Sequence, residues 1–474
     1  MHAPVRPRPD DALALLAWGV QRDPIGDRAH AALVALALLA LPLGTTTFAI
    51  LFGIALGYSL LRLWATGPAV GYLLFRIPLV GVLAALLAWT CLSALWSADR
   101  SQAWDEIAIL RFQVPMLILL WPVIERWRAF VIALSLGVGL ASLIQVGQFA
   151  LGESWPLALW WHGERIAGRD PGMLHPNSTA VLALAALFLL PHLAIARPSR
   201  WGIALLLWPP ALLSLMLTGS RGCWIAALAG LIAATPQIGC VVRGIKRARA
   251  TPKELRPDVK PSERRARRMV AAILTIVVLA LATLLAPGIF QRVSSGVSEV
   301  RAAIEARDYT SDTAARWRQI EISVALFRAH PLTGVGAGGY HAAARSYVRA
   351  EEAQRDQTGA SGDRPRSTGL LPHPHSALLY FGAVLGLPGI LLFAAFWALV
   401  FRSERLAARR AASGLFFMPA ITAILIAFIL DAHNLSAPGT IALMLIVAII
   451  LSRRCAERDD PARGDADASK SCIS

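Results

Sequence analysis

The chain has 474 residues, 56% of them hydrophobic and only 16% charged, with a formal net charge of +16. Soluble domains carry about 25% charged residues, so an ordinary soluble protein is excluded. The positive surplus is not a nucleic-acid footprint: eleven Lys and Arg fall between Arg243 and Arg268, between two apolar runs, as topology determinants do.

The N-terminus carries Pro4, Arg6, Pro7 and Arg8 without a short apolar stretch and small-residue cleavage site, so no removable signal peptide is expected. Apolar runs follow at about 29–44, 45–63, 76–96, 109–124, 128–151 and 176–196. They continue at 201–218, 222–242, 269–289, 376–401, 413–431 and 437–452. Runs of this length match the 17–25 residues needed to cross a bilayer, where every backbone group must be satisfied internally. The expected fold is all-α, a polytopic integral membrane protein with about twelve transmembrane helices.

Arg62, Arg76, Arg126, Arg128, Arg197, Arg200, Arg402, Arg405, Arg409, Arg410, Arg453 and Arg454 occupy alternate turns, together with all four lysines. The positive-inside bias then places both termini in the cytoplasm. The expected divisions are a cytoplasmic segment 1–28, nine spans over 29–289, an outer loop 290–375, three spans over 376–452 and a cytoplasmic tail 453–474. Trp89, Trp96, Trp104, Trp121, Trp127, Trp155, Trp160 and Trp161 mostly sit near predicted helix ends, as an interfacial belt does. The cysteines Cys91, Cys223, Cys240, Cys455 and Cys472 form neither a CxxC pair nor a disulfide framework.

Polar motifs collect where helices enter from the outside. Arg169-Asp170-Pro171-Gly172 leads to His175-Pro176-Asn177, Thr218-Gly219-Ser220-Arg221 opens another helix, and His373-Pro374-His375-Ser376 opens a third. Helix N-termini expose unpaired N–H groups and attract anions, and arginine forks match phosphate oxygens. Arg169, Arg221 and an arginine from a helix spanning 316–328 therefore suggest a shared diphosphate site. Arg316 and Arg318 lie about 200° apart on a helix, so one faces the site while the other pairs with Asp312 or Glu321; the sequence does not choose.

Gly334 to Gly339 lack the Lys-Ser/Thr of a phosphate-binding loop and read as a flexible turn. Segment 354–369 reads as a mobile loop. His373 and His375 admit three roles: helix capping, metal binding, or acid–base catalysis. Asp431, His433 and Asn434 read as a cap or an interhelical hydrogen bond.

His375-Ser376, nine residues and then Gly386-Leu387-Pro388-Gly389 resembles the His-[Asn/Ser/Gln]-x9-Gly-x-x-[Gly/Thr/Tyr] pattern of O-antigen ligases. Arg316 to Gly336, with His330-Pro331-Leu332-Thr333-Gly334, is similar to the outer-loop signature shared by ligases and polymerases. Arg169 to Pro176-Asn177 and Ser220-Arg221-Gly222 resemble two further motifs of that superfamily. The resemblance implies a bacterial inner-membrane glycosyltransferase with a large periplasmic loop containing helices. Such an enzyme moves a glycan from undecaprenyl diphosphate to a sugar hydroxyl of lipid A–core, without metal or nucleotide cofactor. It implies His375 as catalytic residue, Arg169, Arg221 and Arg316 or Arg318 on the diphosphate, and His373, Asn177 and Ser376 in support. Partners would be the lipid-linked donor, the lipid A–core acceptor and membrane lipids, but no nucleic acid. A polymerase or protein O-oligosaccharyltransferase differs only in acceptor. A lipid or polysaccharide transporter would place its polar groups at mid-membrane instead.

Overall fold

The computed structural model describes residues 23–66, 77–110, 112–151, 173–196, 201–250, 287, 290–291, 293–358, 369–410, 417–431, 433 and 436–456. Termini 1–22 and 457–474, Arg169, Asn434, the basic stretch 251–268 and nearly all of the apolar run 269–289 lie outside them. Among the described residues every regular element is helical.

Helix α1, Pro24–Ala40, starts where the Asp23 carboxylate accepts the Gly26 amide at 2.8 Å and Pro24 takes the first helical position. After a turn, α2 runs Thr45–Thr66, α3 Pro78–Ser93 and α4 Arg100–Leu110. The run expected at 109–124 is not one spanning helix. It yields only α5, Val114–Leu120, then a tighter turn Trp121–Arg126 with Val123 off helical geometry. Pro115 and Pro122 account for this, since each removes an amide donor and crowds the preceding turn.

Next come α6 (Trp127–Leu151), α7 (Pro176–Ala196), α8 (Trp201–Leu217) and α9 (Arg221–Ala250). Helix α9 continues through Arg243, so the basic stretch begins as helix rather than loop. Helices α10 (Asp312–Ala329) and α11 (Tyr340–Thr358) form a polar insertion before α12 (Ala377–Arg410), α13 (Met418–Leu430) and α14 (Ala437–Ala456). Among the described residues, five helices are long and apolar enough to cross a membrane: Pro24–Leu43, Thr45–Leu63, Trp127–Leu151, Pro176–Leu193 and Ala377–Ala407. Five shorter apolar helices accompany them.

Helix α7 is the centre, with 89% of its apolar window buried. A helix that is apolar all round is stable only when neighbours cover every face, and α6, α8, α9, α13 and α14 do so here. In the insertion, Ser311 caps α10 by accepting the Ala314 amide, with Asp312 in the first turn and Arg328 in the last.

Helix α12 is broken. Gly386 has φ 68° and ψ −160°, and Pro388 follows. The carbonyls freed by the break are re-paired: Ala383 accepts the Val335 amide at 3.0 Å and Val384 the Gly336 amide at 2.9 Å. Leu385 accepts the Trp89 indole N–H at 2.9 Å, and the Leu387 amide donates to Pro331 at 2.8 Å. The glycine segment expected to be a flexible turn is thus a series of tight turns docked on a broken helix, which it completes. Non-helical backbone within an apolar bundle is tolerable only when protein satisfies it in this way.

Candidate active site

Four helix ends meet at Asp431, the residue that terminates α13. Its Oδ1 lies 3.1 Å from His375 Nδ1, and its Oδ2 accepts the Asn177 side-chain amide at 2.5 Å. Arg316 Nη2 stands 3.6 Å from the same Oδ2. Asn177 comes from the first turn of α7, His375 from just before α12, and Arg316 from the first turns of α10. The Asp431 side chain is 11% exposed, whereas His375 keeps 21% and Arg316 32%. The acid is buried beneath groups that solvent or a substrate can reach.

Burial alone would raise the Asp431 carboxyl, but the His375 hydrogen bond and the Arg316 charge hold it well below the usual carboxylate range. An ionised carboxylate can only accept, so His375 donates to it from Nδ1; in the neutral imidazole the lone pair then falls on Nε2. Beside it, burial pulls the His373 imidazole down to about 4, with His375 adding to the effect. The two rings lie 4.9 Å apart at 33°. His373 is therefore a neutral wall against His375 at neutral pH. Burial also lowers His433, whose Nε2 is 3.8 Å from Cys223 Sγ. His175 Nδ1 accepts the Asn177 backbone amide at 3.3 Å.

Of the residues singled out from the sequence, His375, His373, Asn177 and Arg316 come together. Ser376 is a helix cap, its Oγ accepting the Leu379 amide at 3.4 Å. Arg169 lies outside the described residues. Arg221 opens α9 beside the end of α13, where a Cβ on Gly222 would meet Leu430 at 3.4 Å. Its guanidinium donates to Thr313 Oγ1 at 2.5 Å and Ser295 Oγ at 3.2 Å, and Glu299 lies 3.6 Å away.

Arg318 faces away from the site. It is buried between Glu321, at 3.0 Å, and Glu351, with the Tyr309 and Tyr347 rings 5.1 and 5.8 Å from its guanidinium carbon. Arg318→Ala is expected to destabilise the insertion by on the order of 2 kcal/mol, discounted because both carboxylates are partly exposed. Faster proteolytic cutting within 300–358, with chemistry retained in the surviving protein, is the outcome to look for. The reverse result, full stability and lost activity, would return Arg318 to the site.

Asp431 answers the reading of it as a cap or interhelical bridge, since it ends α13 and bonds Asn177 and His375. One candidate escaped the sequence reading. Glu106 on α4 had no signal at all, because its partners, Tyr380 and Gly338, are remote in the chain. Among the described residues, no three His, Cys, Asp or Glu side chains are grouped so as to hold a metal ion.

Residues 202–394 match the family model described as O-antigen ligase, a span that contains Arg221, Arg316, His375 and the Gly386 break. No curated protein matches the chain.

Proposed function

We propose, from the match of residues 202–394 to the O-antigen ligase family model, that this chain is a member of that superfamily and an inner-membrane glycosyltransferase. It transfers a completed glycan from undecaprenyl diphosphate to a sugar hydroxyl of lipid A–core. Positive-inside bias and the clustering of motif-bearing helix ends support cytoplasmic termini and a periplasmic site closed by residues 290–375. The observation that carries the reading is the Asp431 carboxylate, held between His375 Nδ1 and the Arg316 guanidinium.

The chemistry follows from that arrangement. His375 Nε2 takes the proton of the acceptor hydroxyl as its oxygen attacks the anomeric carbon. The bond from that carbon to the diphosphate oxygen breaks, and the diphosphate leaves with the electron pair. Asp431 stabilises the imidazolium that forms, as a buried carboxylate does for a histidine base. Arg316 and Arg221 stabilise the charge growing on the diphosphate, so the leaving group needs no proton. One displacement inverts the anomeric configuration. Arg318 is left to hold the insertion together.

Purified protein in bilayers should transfer glycan from the lipid-linked donor to lipid A–core without ATP or an ion gradient. In cells, loss of the protein should leave full-length polymer on the lipid carrier. Accumulation of single repeat units instead would make it a polymerase of the same superfamily. Arg316→Ala is expected to lower kcat about 10²-fold, the scale of one preorganised charge-stabilising donor, with partial recovery in Arg316→Lys. An unchanged kcat would remove Arg316 from the diphosphate.

A further inference from the structure

Glu106 lies on α4, in a stretch to which neither the apolar runs nor the recognised motifs assign a role. Its Oε2 accepts the Tyr380 phenol O–H at 2.6 Å and the Gly338 backbone N–H at 2.8 Å. Tyr380 stands one turn into α12, its amide donating to the Ser376 carbonyl at 2.9 Å. The carboxylate therefore grips the half-helix that begins immediately after His375.

Gly338 belongs to the segment that continues α10 and docks on the α12 break through Val335 and Gly336. The other side of that segment is equally confined. The Ala337 amide donates to Ser93 Oγ at 3.0 Å. At Gly338, φ is +72°, and a Cβ would lie 2.2 Å from the Ala103 nitrogen. Residues 335–338 are thus threaded between the α3–α4 elbow and the broken helix, and Glu106, on the α4 wall, bonds both the threaded segment and the opposite wall.

Helix α10 carries Arg316, its continuation is the threaded segment, and α12 begins behind His375. Fixing the segment fixes one helix against the other. We propose that Glu106 is a positioning residue: it closes a clasp on residues 335–338 that sets Arg316 and His375 at their working separation around Asp431. The proposal rests on the functional reading above for the reaction it serves, though the clasp itself does not. Glu106 acts only through Tyr380 and Gly338 and has no place among the reacting groups.

Three variants test it, compared at equal amounts of inserted protein: Glu106→Ala, Glu106→Gln and Tyr380→Phe. Glu106→Ala is expected to lower kcat about 10²-fold, because misplacing a reacting group by about 1 Å costs that much. Donor KM should change less than about threefold, since the clasp does not bind the donor. Gln keeps an oxygen able to accept both donors, so Glu106→Gln is expected to recover kcat to within about fivefold of wild type.

Hydrogen exchange over residues 330–340, measured without substrate, supplies a readout independent of activity. Amides 335–338 should exchange about tenfold faster or more in Glu106→Ala. Should that variant fail to insert, Tyr380→Phe, which deletes one of the two donors, is read by the same two measurements with a smaller expected loss. Unchanged exchange and kcat in the variants overturn the clasp, as does a Gln variant as impaired as the Ala variant. A wild-type protein with no transferase activity overturns the functional reading instead, while the exchange measurement still decides the clasp.

Discussion

His375→Ala is expected to lower glycan transfer about 10³-fold with normally inserted protein, the middle of the range that a positioned general base contributes. The effect should fall on kcat. Alanine removes the imidazole proposed to accept the hydroxyl proton and takes from Asp431 its His375 partner, leaving the Asn177 hydrogen bond and the Arg316 ion pair in place. Donor binding, assigned to the arginines in the proposed mechanism, should change little. His373→Ala is the control: that ring is neutral and half-buried, and among the described residues no carboxylate is bonded to it. It should cost far less, by loosening the wall behind His375. Wild-type transfer by His375→Ala would remove the imidazole from the chemistry altogether.

Gly386→Ala should be the most damaging small change to the scaffold. At φ 68° and ψ −160° the backbone occupies a region open essentially to glycine. A Cβ there would lie 2.7 Å from the Leu332 carbonyl carbon and 2.8 Å from the Gly334 nitrogen. These are backbone atoms of the docked segment, so no side chain can rotate aside. Backbone strain of this kind costs about 1–3 kcal/mol, and the displaced hydrogen bonds add to it, for a total on the order of 4 kcal/mol. Thermal unfolding in detergent should show a lower midpoint and a segment 330–339 open to protease. A stable, protected Gly386→Ala protein would mean that the break is not required.

The apolar helices were legible because lipid leaves the backbone so few options. Their lengths were less so. The 109–124 run looks apolar throughout, yet Pro115 and Pro122 cut it into a short helix and a tight turn. The convergence of Asn177, Arg316 and His375 could be anticipated from helix ends that share one side. What joins them could not. Asp431 is 56 residues from His375 and 254 from Asn177, and no local pattern encodes a pairing at that range. The choice between Arg316 and Arg318 needed the carboxylates of Glu321 and Glu351 in place. The glycines 334–339 were misread for the same reason. Glycine suits both a loose turn and a tight docking site, and only the carbonyls of Ala383 and Val384 distinguish the two.

The position of Asp431 also bears on when the protein becomes active during its own synthesis. Asn177, Arg221, Arg316 and His375 are all translated before it. Until the ribosome has passed Asp431 and α13 has delivered it to the far end of the bundle, the histidine has no carboxylate to fix its tautomer. A nascent chain with α12 already in the membrane therefore still lacks the carboxylate that meets His375 in the folded protein, and the pair forms only once α13 has followed.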